Sequence, residues 1–104
     1  MITEVVNKNK DRYDVYIGRG SKWGNPYTHL PLSNTQAKYK VSSRKESIEK
    51  YKEYLLIGDG SHLLNDLDEL KGKKLGCYCK PKSCHGDILS ALCNNLYYKS
   101  ILFD

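Results

Sequence analysis

The chain has few of the features that would place it in a membrane, outside the cell or in a large multidomain protein. Its 104 residues contain no run of the eighteen or so apolar residues that a membrane span requires. The start, Met1-Ile2-Thr3-Glu4, lacks the basic segment and apolar run of a signal peptide. We therefore expect a cytoplasmic protein with one domain, residues 1–104, without internal repeats or low-complexity segments.

Negative charge is the scarcer sign, with 12 acidic residues against 17 Lys and Arg and a net charge of +5. A basic balance favours anionic partners such as nucleotides, nucleic acid or other phosphates. The lysines are scattered, so a solvated basic surface is the alternative interpretation. Because the cytoplasm is reducing, the four cysteines are expected to be free thiols or metal ligands before disulfides.

The apolar pattern predicts an α/β fold: one small domain with a short mixed sheet of about three or more strands, Rossmann-like in part, covered by about three helices. Strands are expected near residues 2–6, 12–17 and 74–79, the first two joined by a polar turn. Ser43-Arg44-Lys45-Glu46 matches a capping box, which starts a helix ending near Gly58. Ser61 is expected to cap a second, shorter helix that ends at Gly72. A third helix is expected to begin at His85, and it carries apolar residues at helical spacing: Ile88, Leu89, Leu92, Cys93 and Leu96. Residues 28–42 carry conflicting signals and are left unassigned.

Three of the four cysteines, a histidine and a carboxylate lie within the segment 75–87, which this pattern places between a strand and a helix. Four soft or borderline zinc ligands are present in it, namely Cys77, Cys79, Cys84 and His85. Their spacing matches no strong zinc template, so zinc remains one alternative and the cofactor is left unknown. A second alternative makes Cys84 a thiolate activated by the helix start, or His85 an acid/base, with Asp87 as its orienting carboxylate.

A third alternative is anion binding. The helix start after Lys82 and Ser83 offers backbone N–H groups to a phosphate, and Gly86 would allow close approach of a ligand. The glycine-rich loop Gly18–Tyr27 follows another strand and is expected to face the same crevice. In that loop Arg19 would clamp a phosphate, Ser21 and Asn25 would bond a base or ribose, and Trp23 would stack on a ring. The structural alternative is a turn in which Trp23 fills the core.

Three segments together resemble a known family. Residues 15–27, 70–79 and 84–89 are similar to DUF4326, a small uncharacterised domain of phages, bacteria and some large viruses. The resemblance covers about residues 13–93, favours a phage or viral source and names no reaction. It implies a shared site that includes seven matching positions, Arg19, Asn25, Cys77, Cys79, Cys84, His85 and Asp87.

The sequence thus predicts a pocket for a phosphate-bearing ligand, a nucleotide or nucleotide-derived metabolite, between the loop Gly18–Tyr27 and the turn Lys80–Asp87. Whether the ligand is processed, or a host nucleotide signal is only sequestered, is left open, as is the oligomeric state. The rival prediction is a zinc-stabilised module that binds nucleic acid.

Overall fold

A three-stranded parallel sheet forms the centre of the computed structural model, which describes residues 2–32 and 37–94. Its strands are β1 (Glu4–Asn7), β2 (Val15–Tyr16) and a third, Lys74–Cys77, that lies between them. The central strand pairs with β1 from Glu4↔Lys74 to Asn7↔Cys77 and with β2 through Val15↔Leu75 and Tyr16↔Gly76.

The predicted α/β class and the positions of these strands are confirmed, whereas the pairing differs from the expectation. The two N-terminal strands do not pair with each other, because the Lys74–Cys77 strand separates them, and both pairings are parallel rather than mixed. The physical reason is burial. Leu75, Gly76 and Cys77 are all buried, as in a parallel strand covered on both faces, so this segment takes the central place.

A second sheet connects the end of the loop Gly18–Tyr27 with the segment that the sequence left unassigned. It pairs β3 (Tyr27–Thr28) with β4 (Tyr39–Lys40), again parallel. We number the central strand of the first sheet, Lys74–Cys77, β5.

Helix α1 spans Arg44–Leu56 and begins as predicted, with the Ser43 hydroxyl accepting a hydrogen bond from the Glu46 N–H at 3.1 Å. The reciprocal half of the capping box is displaced by one residue, because the Glu46 carboxylate accepts from the N–H of Ser42 at 2.8 Å. The helix ends near Gly58 as expected, but the described glycines with positive φ are Gly20 and Gly72. Gly58 therefore does not form the left-handed cap that the sequence predicted.

The predicted second helix is a 3₁₀ helix, Ser61–Glu69, and it starts without a side-chain cap from Ser61. The third predicted helix is α2, Gly86–Cys93. Both present leucines to one core, in which the largest buried side chains are Trp23, Tyr51, Ile17, Leu55, Leu70, Leu75 and Leu89. Leu96 lies outside the described residues, and no helix within those residues is long and apolar enough to cross a membrane.

Candidate functional site

The loop after β2 and the turn after β5 line one cavity of about 410 Å³. The strands β2 and β5 are parallel neighbours, so the two segments that follow them leave the sheet at the same edge. Ligands bind at this edge in open α/β sheets. Helix α1 and residues 28–30 supply the other walls. We call this space the central cavity.

The charge of the central cavity is one-sided. Arg19 and Arg44 line it, and none of the described lining residues is an aspartate or glutamate. Neither arginine forms an ion pair with any residue that the structure describes. The cavity therefore presents two guanidinium groups without a neutralising carboxylate.

Arg19 is half-buried and also holds its own loop together. Its Nε–H donates to the Asn25 carbonyl at 3.2 Å, and an Nη2–H donates to the Tyr27 carbonyl at 2.7 Å. Burial lowers the pKa of the guanidinium, but from so high a value that it stays charged. Towards the residues that the structure describes, these bonds use two of its five N–H groups, which leaves three as donors for an anion.

Arg44 is the first residue of α1, and its Nη1 lies 3.4 Å from the Ser83 carbonyl. A cation at this position is disfavoured by the positive end of the helix macrodipole. The placement therefore costs the helix a little stability, which is understandable if the charge serves the cavity.

Three thiols meet at the cavity wall. The Sγ atoms of Cys77 and Cys84 lie 3.2 Å apart, and these side chains are 1 % and 3 % exposed. Cys79 is only partly buried, and hydrogen bonds from the Cys77 and Cys84 thiols, with Arg44 beside it, lower its pKa. The pKa of Cys84 is raised by its hydrogen bonds with Cys77 and Cys79 and by burial. Cys79 is therefore the most accessible of the three sulfurs, whereas Cys84, the thiol that the sequence favoured, is buried.

The arrangement of these thiols and His85 gives no support to the zinc prediction, which stays untested. Among residues 2–32 and 37–94, no group of three or more Cys, His, Asp or Glu side chains is arranged to hold a metal ion. The Nε2 atom of His85 is instead engaged by the backbone. Cys93, the fourth cysteine, is buried on α2 and its thiol lies 3.8 Å from the Leu67 carbonyl.

His85 has a defined tautomer. Its Nε2 lies 2.6 Å from the Ile17 carbonyl, which can only accept, so Nε2 carries the proton and Nδ1 carries the lone pair. Burial lowers the pKa of this imidazole, and its ring packs edge-on against Tyr51. His85 lines the cavity as a neutral side chain oriented by the Ile17 carbonyl.

Asp87 does not orient His85. Its Oδ1 accepts from Lys80 Nζ at 2.7 Å, and its Oδ2 accepts from the Cys84 N–H at 3.2 Å. The carboxylate therefore occupies the start of α2, where the sequence predicted an external anion. Further along the helix, the N–H groups of Asp87 and Ile88 donate to the carbonyls of Cys84 and His85.

The other predicted ligand contacts divide into two groups. Asn25 and Ser83 line the cavity. The Asn25 amide, however, donates to Ser47 at 2.9 Å and accepts from the Tyr27 N–H at 2.9 Å, so it fixes the loop. Ser21, Trp23, Lys82 and Gly86 do not line the central cavity.

Two of those four residues have clear structural roles. Trp23 is 2 % exposed within the core, which matches the structural alternative for this loop. At Gly86, an added Cβ would lie 2.6 Å from Ile17 Cδ1, so the glycine allows α2 to pack on the sheet rather than a ligand to approach.

The sequence did not lead us to several of the residues that line the central cavity. Arg44 is one, although an arginine at the first position of a helix was a usable signal. Tyr16 and Tyr78 are others; their rings pack edge-on at 6.1 Å beside the cavity. Lys8 donates to the Tyr78 hydroxyl at 3.1 Å, and this bond lowers the pKa of Tyr78.

A family model covers the segments that line the central cavity. The family model described as a domain of unknown function, DUF4326, matches residues 4–95. The chain belongs to this family. It is 39 % identical over 98 residues to an uncharacterised 12.4 kDa protein of the nrdA-td intergenic region in Enterobacteria phage T4, covering 92 % of this chain and 82 % of the relative.

A second DUF4326 relative comes from a large virus. The chain is 34 % identical over 109 residues to an uncharacterised protein of Acanthamoeba polyphaga mimivirus, covering 84 % of this chain and 75 % of the relative. No solved structure matches. The comparisons therefore establish the family and its viral members, and the chemistry has to be argued from the site.

Proposed function

We propose that the central cavity binds a phosphate-bearing small molecule of the nucleotide class. The observation that carries the proposal is the pair Arg19 and Arg44 in a cavity without a carboxylate among its described lining residues. Guanidinium groups bind phosphate through charge-assisted, often bidentate hydrogen bonds.

The remaining walls suit the rest of such a ligand. The volume of about 410 Å³ is within the range of roughly 300–1,000 Å³ common for small-molecule pockets. Tyr16 and Tyr78 offer ring faces and edges, and Leu30 and Ile48 add apolar surface. In the proposed pose the phosphate lies between the two arginines, and a base or sugar contacts the tyrosines.

The proposal covers both outcomes for the bound molecule. A viral protein that only sequesters a host nucleotide in the host cytoplasm requires nothing beyond the arginines and the tyrosines. If the ligand is processed, Cys79 and the Nδ1 lone pair of His85 are the groups available at the cavity wall. Recovery of the ligand after incubation, by chromatography, distinguishes sequestration from turnover.

A thermal-shift panel tests the binding proposal. Nucleosides, their mono- and diphosphates, and inorganic phosphate are each added to the purified protein. A ligand present at about 100 times its Kd stabilises the fold by roughly 2.7 kcal/mol. We expect phosphorylated ligands to raise the Tm by roughly 10 °C and the matching nucleosides by much less. Equal shifts for nucleoside and nucleotide, or no shift throughout, would overturn the proposal.

The second candidate, a zinc-stabilised module for nucleic acid, rests on the net charge of +5 and the clustered thiols. It predicts metal in protein purified without added zinc, and unfolding on chelation. It also predicts binding that weakens steeply as salt rises. This candidate would be eliminated if the protein contains no metal, stays folded, and binds neither double-stranded nor single-stranded nucleic acid at low salt.

A further inference from the structure

Three side chains lie next to one another at the carboxyl edge of the central sheet. Lys8 directly follows β1, Tyr78 directly follows β5, and Tyr16 is the last residue of β2. The strand order β1-β5-β2 therefore brings them to one edge in the order Lys8, Tyr78, Tyr16. We call these three residues the rim cluster. Tyr16 and Tyr78 line the central cavity and Lys8 does not, so the cluster begins at the cavity and extends beyond it.

The members of the rim cluster hold one another in place. Lys8 Nζ donates a hydrogen bond to the Tyr78 hydroxyl at 3.1 Å, and it lies 4.7 Å from the centre of the Tyr78 ring and 5.3 Å from that of Tyr16. The two rings pack edge-on, and the Lys8 N–H donates to the Cys77 carbonyl at 2.9 Å. Attraction between the ammonium group and the ring faces supports the same arrangement. A cation and two aromatic rings thus form one continuous surface.

This surface has binding capacity that the described residues do not use. Lys8 forms no ion pair within residues 2–32 and 37–94. Its bond to Tyr78 uses one of the three N–H groups of the ammonium, which leaves two as donors. The Tyr78 residue is 57 % exposed. A single exposed tyrosine would need no explanation, but this one adjoins both an available cation and the mouth of a cavity.

The rim cluster and the central cavity together exceed what one nucleotide needs. The cavity volume of about 410 Å³ is near the lower end of the range of small-molecule pockets, and Arg19 and Arg44 already supply cations for one phosphate there. Lys8 is a further cation at a separate position, outside the cavity. A nucleoside diphosphate carries its second phosphate next to the first and offers the exposed ring nothing to stack on. A ligand that uses all of these groups has a second phosphate and a second base.

We propose that the ligand is single-stranded nucleic acid, with one nucleotide in the central cavity and the next nucleotide on the rim cluster. The second base stacks on the exposed part of Tyr78, and the phosphate that links the two nucleotides binds Lys8. Stacking on an aromatic ring beside a basic group is the usual way in which proteins bind single strands. The inference rests on the proposed function and names its ligand class. It requires no metal, in contrast to the zinc-stabilised candidate.

Isothermal titration of the purified full-length chain tests the inference without any substitution. The probes are a 5′-phosphorylated dinucleotide, the matching mononucleotide and the matching nucleoside diphosphate. The dinucleotide should bind roughly 5- to 150-fold more tightly than the mononucleotide, which is the gain expected from one stacked base. Excess mononucleotide should displace the dinucleotide, because both occupy the cavity. Deoxyribose and ribose forms of the dinucleotide distinguish DNA from RNA as the source of the strand.

Variants of the rim cluster assign the gain to its residues. Tyr78→Leu should bring the ratio of the two Kd values close to one, whereas Tyr78→Phe should keep it, since the ring remains. Lys8→Gln should raise the Kd of the dinucleotide roughly 3- to 10-fold, an effect limited by screening of an exposed charge. The matched control is Lys10→Gln, which removes the same charge from an exposed residue of the same turn and should change this Kd by less than about twofold.

The outcomes separate this inference from the proposed function. If the mononucleotide binds and the dinucleotide binds no more tightly, or is not displaced by it, the inference is overturned and the cavity proposal stands. If Lys8→Gln weakens the nucleoside diphosphate as much as the dinucleotide, Lys8 serves a polyphosphate and the inference is again overturned. If none of the probes binds, both proposals fail together.

Discussion

Arg44→Gln is the substitution that probes the charge of the central cavity most cleanly. Arg19 is less suitable, because its side chain also bonds the carbonyls of Asn25 and Tyr27, and its loss would disturb the loop. Within the described part of the chain, the hydrogen bond of Arg44 to the Ser83 carbonyl is long, at 3.4 Å, and the Arg44 charge also lowers the pKa of Cys79. Removing its charge from the first turn of α1 also relieves an unfavourable interaction with the helix dipole, worth about 0.3–1 kcal/mol. The variant should therefore be as stable as wild type or slightly more stable.

The expected loss of affinity follows from the proposed contact. A hydrogen bond to a charged group contributes about 1.5–3 kcal/mol, so Arg44→Gln should raise the Kd for a nucleoside monophosphate roughly 10- to 150-fold. Partial exposure and salt screening favour the lower part of that range. Isothermal titration at two salt concentrations measures this effect.

The matched control is Lys45→Gln. It removes the same charge from the neighbouring residue of α1, which is exposed and does not line the central cavity. Its Kd should stay within about twofold of wild type, because screened surface charges contribute little. If both variants bind equally well, or if both weaken equally, the reasoning that assigns the phosphate to Arg44 is refuted.

Two further predictions concern the fold around the site. Because burial lowers the pKa of His85, the unfolded state binds a proton below pH about 6.5 that the folded state resists, so wild-type stability should fall as the pH drops below that value. His85→Gln should flatten this fall in urea midpoints between pH 7.5 and 5.5, and an unchanged fall would contradict the assignment. Gly86→Ala should destabilise the fold by about 1–3 kcal/mol despite the better helix propensity of alanine, because the new Cβ would lie 2.6 Å from Ile17 Cδ1. A variant at least as stable as wild type in the same titration would show that the packing can relax, and Ser90→Ala on the same helix is the control.

Local sequence signals predicted the elements of this fold well and their connections poorly. The Ser43 cap and the apolar run at Leu75 identify a helix start and a strand because they depend on neighbouring residues. The insertion of β5 between β1 and β2 depends on contacts about seventy residues apart, and turn composition carries no information about it. The same limit explains why Tyr27–Thr28 and Tyr39–Lys40, each two residues long, were not recognised as paired strands.

The sequence predicted that the two segments lie together, but it did not predict how their side chains are arranged. Proximity of the loop Gly18–Tyr27 and the turn Lys80–Asp87 follows from parallel strands ending at one edge. The role of each residue depends on the direction in which its side chain points, and the sequence does not give that direction. Asp87 pairs with Lys80 rather than with His85, and the anion donors that face the cavity come partly from α1, a separate element.

The central claim is that a phosphate-bearing ligand occupies the central cavity, and an amide-resolved NMR titration tests it most directly. Isotope-labelled protein is titrated with the best nucleotide from the thermal panel and, separately, with the matching nucleoside. The account predicts saturable shifts that cluster at the loop Gly18–Tyr27, the start of α1 and the turn Lys80–Asp87, with the nucleotide far more effective. Saturable shifts confined to other surfaces, or linear shifts spread over the exposed lysines, would contradict it.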